Sequence, residues 1–222
     1  MYPSCSANGF QRPTDGNVEV GEGMNQMIEH KVEWIGPFLF IGPKEQNLFL
    51  RPEADRRGIY LWTVEGVEGY LVHYVGQTAQ SFGVRFQQHI KDQLSGVYSI
   101  YDPSDLVEGK PTKRWEGMWW KAGAWKRTAD FINNLMEHSK WNFELLKIYR
   151  IFLAPPEHES RILERIEAAI VDCLRSKEGV VASMQDPKIR YRWKLKKEAS
   201  FKVRFVSPCS ILGLPEELLI RA

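Results

Sequence analysis

The amino-acid sequence predicts an α+β fold in which a small mixed β-sheet is flanked by helices. Two segments rich in β-branched and aromatic residues, 58–64 and 70–75, are typical of strands. Two segments with apolar residues every three or four positions, 81–94 and 157–175, are typical of amphipathic helices. The elements follow the order hairpin, helix, insertion, strand, helix, which favours an α+β core with helices packed on the sheet.

The termini and the first strands define the predicted domain organisation. Residues 1–26 are rich in Gly, Asn, Ser and Pro without any periodicity, which predicts a flexible N-terminal arm. The remaining chain, 27–222, is predicted to form a single domain. Its first part, 31–41, is strand-like but interrupted by Gly36-Pro37, so we expect two short strands there.

A hairpin and a helix follow. The segments 58–64 and 70–75 are joined by the turn-prone link 65–69 and should pair as a β-hairpin. Ser81 is placed to cap a helix that ends near Leu94, with Gly96 as its stop signal. Arg85 and His89 are four residues apart on this helix, so their side chains should lie on one flank of it.

An insertion at 97–141 separates this helix from the remaining predicted elements. It is rich in Trp, Lys and Arg and is expected to contain a helix over 128–138. A strand is predicted over 143–153, where Pro155-Pro156 ends it, and a strongly amphipathic helix over 157–175. The segment 180–222 is expected to add further strands and a short helix near Pro215.

Composition excludes several classes of protein. No apolar run approaches the roughly 20 residues of a membrane-spanning helix, and the first residues lack a signal peptide's features, so we expect a cytoplasmic protein without a membrane partner. The three cysteines form no CxxC pair, which argues against a zinc knuckle or a disulfide framework. Neither a dinucleotide fingerprint nor a P-loop is present, so no organic cofactor is expected.

The charge distribution points to nucleic acid. Between Lys188 and Arg204, eight Lys and Arg residues stand against a single acidic residue, Glu198, and aromatic residues are interleaved with them. Such a segment can follow a phosphate backbone, although a solvated hairpin edge is an alternative interpretation. The candidate DNA-binding residues in the insertion and this basic segment are Lys110, Lys113, Arg114, Lys121, Arg190, Arg192, Lys194, Lys196 and Lys197.

Two tripeptides on the predicted hairpin carry a resemblance. Gly58-Ile59-Tyr60 opens the first strand and Tyr74-Val75-Gly76 closes the second, which is similar to the signature of the GIY-YIG nuclease superfamily, with valine in place of the usual isoleucine. Arg85 stands where that family has a helical arginine, and Glu167, in the setting Glu-Ala-Ala-Ile-Val, where it has a metal-binding glutamate. The spacing Arg85-x-x-x-His89 resembles the restriction endonuclease branch. The resemblance covers the predicted core, 58–175.

The resemblance implies a catalytic site formed by Tyr60, Tyr74, Arg85, His89 and Glu167. Hydrolysis of a phosphodiester requires an activated water and positive charge on the phosphate. Glu167 would hold Mg²⁺, for which Mn²⁺ should substitute, and Arg85 would bind the non-bridging oxygens. Tyr74 would position the phosphate or the water.

The identity of the general base is left open between Tyr60 and His89. Tyr60 would need a pKa lowered from about 10 by the metal or by Arg85, whereas His89 titrates near neutrality and could accept the proton or orient Tyr60. One departure concerns the asparagine that the family often has after its glutamate, because this chain has none after Asn142. Ser183 or Gln185 is a candidate replacement.

Each site residue also has a structural interpretation. Tyr60 and Tyr74 could be aromatics paired across the hairpin, and His89 a solvated helix residue. Arg85 could form a surface ion pair with Asp92 or Glu65. Glu164, with Glu159 a more distant candidate, competes with Glu167 as the metal ligand. His73 is omitted from the site, because strand alternation directs it to the opposite face from Tyr74.

The predicted function is that of a sequence-specific, type II restriction-like DNA endonuclease. A compact enzyme of this kind would cut palindromic double-stranded DNA as a homodimer, because two-fold symmetry of the protein matches that of the site. Two alternatives remain. One is a different GIY-YIG nuclease of a phage, a mobile element or a repair system, and the other is a catalytically weakened fold that only binds DNA.

Overall fold

A computed structural model describes residues 27–118, 123–155, 158–175 and 198–221. The predicted N-terminal arm and most of the basic C-terminal segment, including Ser183 and Gln185, lie outside these residues. None of the helices within the described ranges combines the length and the apolar character needed to cross a membrane.

The described residues form nine strands and five α-helices. The strands are β1 Glu29–Glu33, β2 Ile35–Phe38, β3 Gly58–Glu65, β4 Tyr70–Thr78, β5 Ile100–Tyr101, β6 Lys113–Trp115, β7 Tyr149–Ala154, β8 Phe201–Val206 and β9 Glu217–Ile220. The helices are α1 Phe82–Leu94, α2 Pro103–Val107, α3 Thr128–Asn133, α4 Leu135–Ile148 and α5 Ser160–Arg175.

Three sheets organise these strands. The largest has the order β2-β7-β3-β4 and is antiparallel throughout, with β4 at one edge. A second sheet, β1-β8-β9, pairs β1 parallel and β9 antiparallel with β8, and β5 and β6 form a short ribbon. The α+β class is confirmed. Mixed pairing, however, belongs to the smaller sheet, and the sheet that carries the tyrosine motifs is antiparallel.

Alternate side chains of β3 enter two separate apolar clusters. Ile59 and Leu61 pack with α5 and with the second sheet on one face. Tyr60 and Trp62 pack with α1, α4 and the insertion on the other face. Because both faces are covered, seven consecutive residues of β3 are buried, which fixes the direction of every side chain on this strand.

Helix α1 agrees with its prediction. The Ser81 hydroxyl accepts a hydrogen bond from the main-chain N–H of Val84, which satisfies one of the free donors of the first turn. Phe82 and Phe86 are fully buried. The helix ends before Gly96, whose φ of +74° is a conformation that glycine adopts at low cost.

The strand predicted over 143–153 is wrong in its first half, because α4 continues to Ile148. The buried residues of α4 are His138, Asn142, Leu145 and Leu146. They recur at helical spacing, so one face of the segment can be buried only as a helix. The helix predicted over 128–138 is likewise divided, into α3 and α4, at Asn134.

Two further predictions need correction. Where a short helix was expected near Pro215, the structure instead has strand β9, which pairs antiparallel with β8. The division of the first strand falls at Trp34 rather than at Gly36-Pro37. Pro37 lies in β2, an edge strand, where the missing N–H is tolerated.

Candidate functional site

The Tyr60 hydroxyl is the centre of a buried cluster of polar side chains. It accepts a hydrogen bond from Nε of Arg85 at 3.3 Å, and it lies 2.7 Å from Nε2 of His89. Arg85 and His89 are one turn apart on α1, on the flank that the sequence predicted. The Tyr74 ring lies 6.1 Å from the Tyr60 ring and 5.6 Å from His89. Four of the five predicted catalytic residues are therefore brought together.

Backbone conformation and close packing explain why glycine stands in each of the two tyrosine motifs. Gly58 has a φ of +146°, which an L-residue rarely adopts. Gly76 pairs with Tyr60 across the hairpin. A Cβ at position 76 would collide with Cζ and Oη of Tyr60 and would lie 2.8 Å from Cε1 of Tyr74. Only glycine at position 76 therefore allows the phenol to lie over the edge strand.

Glu167, the fifth predicted residue, belongs to the helix that packs on the other face of the sheet. It lies on α5, is only 3% exposed, and is close enough for its negative charge to raise the pKa of Tyr60. The competing Glu164 has a 34% exposed side chain and forms an ion pair with Arg161 at 3.1 Å. Glu167 is thus distinguished from Glu164 by its burial and by its electrostatic effect on the Tyr60 pKa, in agreement with the choice made from the sequence. That effect is smaller than those of burial, Tyr74 and Arg85.

Burial controls the protonation of the cluster. Burial, and after it the neighbouring Tyr74, raises the pKa of Tyr60 well above 10, although Arg85 opposes the shift. Burial, with a smaller contribution from the positive charge of Arg85, lowers the pKa of His89 to about 3. At neutral pH the pair is therefore a phenol and a neutral imidazole. The expectation that His89 titrates near neutrality is wrong, because burial and the Arg85 charge lower its pKa. Arg85 also does not outweigh the effect of burial on the Tyr60 pKa.

Arg85 and Asp92 do not form the surface ion pair considered as an alternative. The Arg85 guanidinium donates to Tyr60 and, at 3.4 Å, to the side-chain oxygen of Gln88. Asp92 accepts a hydrogen bond from the Tyr98 hydroxyl at 3.3 Å. Glu65 pairs instead with Arg150. The guanidinium is thus directed into the site rather than towards surface carboxylates.

Within the described part of the chain, few side chains near the candidate site could bind a metal ion. No group of three or more His, Cys, Asp or Glu side chains within the described ranges is arranged to hold a metal ion. A single carboxylate nevertheless suits Mg²⁺, which keeps several waters and takes phosphate oxygens as other ligands. The residues around Tyr60 therefore fit an ion held jointly by Glu167, water and a phosphate, and they do not fit a structural zinc site.

The prediction that His73 faces away from Tyr74 is wrong. The β3–β4 pairing shifts register between Trp62 and Thr63, and such a bulge interrupts the alternation of side chains. His73 consequently lies 3.3 Å from the Tyr149 hydroxyl, in the same aromatic cluster that contains Trp62 and Tyr74. Through these contacts His73 lies next to the polar cluster, but its hydrogen bond is with Tyr149 and not with the Tyr60 hydroxyl.

The candidate DNA-binding residues of the insertion already have acidic neighbours. Lys110 pairs with Glu108 at 2.7 Å and Lys113 with Glu116 at 3.0 Å. Arg114 pairs with Asp102 and lies over the Trp141 ring. The other candidates lie outside the described residues; these are Lys121, Arg190, Arg192, Lys194, Lys196 and Lys197.

No protein-family model, curated protein or solved structure matches this chain. The functional inference therefore depends on the geometry of the site. That geometry also contains Tyr98, which sequence reasoning missed, with its hydroxyl 2.9 Å from Nδ1 of His89. The sequence signal for Tyr98 was weak, since it follows the stop of α1 in a stretch without periodicity, and only the folded turn brings it back to His89.

Proposed function

We propose that this chain is a metal-dependent DNA endonuclease of the GIY-YIG superfamily that acts like a type II restriction enzyme. One observation carries the proposal: the Tyr60 hydroxyl is held between Arg85 and His89 by two hydrogen bonds. The buried Glu167 adds a smaller electrostatic effect on the same phenol. The motif glycines are required by this arrangement. The sequence pattern and the contacts therefore support the same set of residues.

The proposed chemistry follows from the contacts. Arg85 is half-buried and reaches both the cluster and its surface, so its guanidinium would hold the non-bridging oxygens of the scissile phosphate. Glu167 would hold the Mg²⁺, which supplies positive charge for the phosphate and the leaving group. Tyr74, also half-buried, would position the phosphate or the attacking water.

Proton transfer is assigned to Tyr60 and His89 together. The water oxygen bonds to phosphorus while the bond from phosphorus to the 3′-oxygen breaks. The proton of the water would pass to the Tyr60 oxygen and the phenolic proton to Nε2 of His89, which lies 2.7 Å away. This relay requires the anionic phosphate to offset the Arg85 charge and raise the His89 pKa, which is about 3 in the protein without DNA. The leaving 3′-oxygen takes its proton from solvent. Arg85 stabilises the negative charge that develops on the phenol oxygen during the transfer. In this division Tyr60, which is fully buried in the protein without DNA, relays the proton and His89 accepts it.

The finer points of the proposal come from the resemblance. The substrate is double-stranded DNA with a palindromic site, cut by a homodimer in the cytoplasm. The basic segment between Lys188 and Arg204 is proposed to bind the phosphate backbone. Phe201 at the end of this segment is buried in the core, so the aromatic residues proposed to pack beside the DNA are Tyr191 and Trp193.

Digestion of plasmid and phage DNA tests the proposal. With Mg²⁺ we expect discrete, reproducible fragments that disappear in EDTA, and sequencing of the fragment ends should give one short palindrome. Smeared or nicked products would instead indicate a nuclease of low specificity. Binding of duplex DNA without cleavage in Mg²⁺ or Mn²⁺ would overturn the enzymatic assignment and leave a DNA-binding protein.

A further inference from the structure

Four hydrogen bonds form a chain from Arg85 through the Tyr60 hydroxyl to Asp92. Arg85 Nε contacts the Tyr60 oxygen, which contacts Nε2 of His89. Nδ1 of His89 lies 2.9 Å from the Tyr98 hydroxyl, and that hydroxyl lies 3.3 Å from Oδ2 of Asp92. Asp92 is half-buried, whereas His89 is 3% exposed. The chain of contacts thus runs from the centre of the candidate site towards its rim.

The two ends of this chain fix the direction of every bond in it. A guanidinium nitrogen can only donate, and an ionised carboxylate can only accept. The Tyr98 hydroxyl therefore gives its proton to Asp92 and accepts the bond from Nδ1–H of His89. With its proton on Nδ1, His89 presents a lone pair at Nε2, which accepts the Tyr60 proton. Each group in the chain then donates once towards Asp92.

We propose that Tyr98 and Asp92 are positioning residues that hold His89 in the Nδ1–H tautomer, so that Nε2 remains a proton acceptor for Tyr60. This inference rests on the proposed function, because it assigns the pair a part in the same cleavage reaction. Without the pair, the imidazole proton can move to Nε2. His89 would then donate to Tyr60, and the phenolic proton would have no acceptor.

The hydrogen bonds that stabilise the turn after α1 do not depend on the side chains proposed to orient His89. The main-chain carbonyl of Asp92 accepts from the N–H of Val97 at 3.0 Å, and the hydroxyl of Ser95 also donates to that carbonyl. These contacts do not use the Asp92 side chain. Tyr98→Phe keeps the ring beside His89 and removes only the hydroxyl. Ser95→Ala removes a hydroxyl from the same turn but lies outside the chain of contacts, so it is the matched control.

The first measurement is the tautomer of His89 in the protein without DNA. Long-range ¹H–¹⁵N correlation spectra report which ring nitrogen carries the proton, and His89→Gln identifies its signals among the five histidines. We expect Nδ1–H in the wild-type protein and in Ser95→Ala, and a gain of Nε2–H in Tyr98→Phe and Asp92→Ala. An unchanged tautomer in both of these variants, or Nε2–H in the wild type, would overturn the inference.

The second measurement is single-turnover cleavage at saturating protein. We expect Tyr98→Phe to lower the cleavage rate constant about tenfold or more, which is part of the roughly 10²–10⁴-fold that a positioned proton acceptor contributes. The Kd for DNA and the rate of Ser95→Ala should be unchanged. An unchanged rate in Tyr98→Phe would contradict the catalytic part of the inference. A wild-type protein that never cuts DNA would instead refute the proposed function, and the spectra would still decide the tautomer.

Discussion

Tyr60 and His89 are joined by a 2.7 Å hydrogen bond between the phenol oxygen and Nε2, although one lies on a strand and the other on a helix, 29 residues apart in sequence. Arg85 donates to the same phenol oxygen. The phenolic proton is consequently directed at the imidazole. This relationship gives the tyrosine motif a function that neither residue has alone, and several expected outcomes follow from it.

Removal of the Tyr60 hydroxyl should lower the cleavage rate strongly and the stability of the fold only moderately. Tyr60→Phe keeps the buried ring against Phe86 but leaves Arg85 and His89 without their common partner. We expect cleavage to fall by about 10²–10⁴-fold and the free energy of unfolding to fall by about 1–3 kcal/mol. Single-turnover cleavage and urea unfolding measure the two effects. Cleavage at the wild-type rate would exclude Tyr60 from the proton transfer.

A methyl group at position 76 should displace the Tyr60 phenol. The added Cβ of Gly76→Ala would collide with Cζ and Oη of Tyr60, so we expect a loss of activity and of about 1–3 kcal/mol in stability. Gly83→Ala is the matched control, because its Cβ would meet its nearest neighbour, the carbonyl oxygen of Ala54, at 3.4 Å. Alanine also favours the helix there. Full activity in Gly76→Ala would refute the proposed placement of the phenol.

The buried histidines should make stability depend on pH. The pKa of His89 is lowered to about 3 and that of His73 to about 4, both mainly by burial. Below the unfolded value of about 6.5, the unfolded chain binds protons that the folded chain does not, so stability falls as the pH falls from about 6.5. Each histidine contributes a slope of at most about 1.4 kcal/mol per pH unit.

Urea unfolding at several pH values between about 6.5 and 5 measures this slope. His89→Gln should remove the contribution of one histidine, and His73→Gln should remove that of the other. Both carboxamide side chains are neutral throughout this range, so neither variant adds a titration of its own. A slope that is the same in all three proteins would contradict the burial of these two imidazoles in neutral form.

Salt dependence of DNA binding should distinguish the two basic segments. Lys110 and Lys113 are paired with glutamates, so their joint replacement by alanine should alter the slope of log Kd against log salt only slightly. Joint replacement of Lys194, Lys196 and Lys197 should reduce the slope by about 0.9 for each phosphate that these lysines no longer neutralise. Equal effects of the two sets of substitutions would remove the basic C-terminal segment from its proposed role.

Local signals in the sequence were sufficient to predict several elements of the fold. The hairpin, the cap at Ser81 and the stop at Gly96 are each encoded within a few residues, and all three are present. The helical flank with Arg85 and His89 follows from the same periodicity. The association of these residues with Tyr60 was predicted because the motif pattern resembled a family, not because any local property required it.

The errors have different physical causes. The segment 143–148 shows only partial alternation and contains Leu, Glu and Lys, which favour helices. Leu145 and Leu146 are buried at helical spacing with His138 and Asn142. A single bulge reverses the face of His73. Tyr98 reaches His89 only because the turn after α1 folds back. The bulge and the turn leave no periodic signal in the sequence, whereas the helical spacing of the buried α4 residues does.

Single-turnover cleavage by Glu167→Gln, measured beside Glu164→Gln, tests the proposed nuclease site most directly. Both substitutions remove one carboxylate from α5, but Glu167 is buried whereas Glu164 is partly exposed and pairs with Arg161. We expect Glu167→Gln to bind duplex DNA in a mobility-shift assay and to cut none of it with Mg²⁺, and Glu164→Gln to cut at nearly the wild-type rate. Persistent cutting by Glu167→Gln, or abolished cutting in Glu164→Gln instead, would contradict the proposed site.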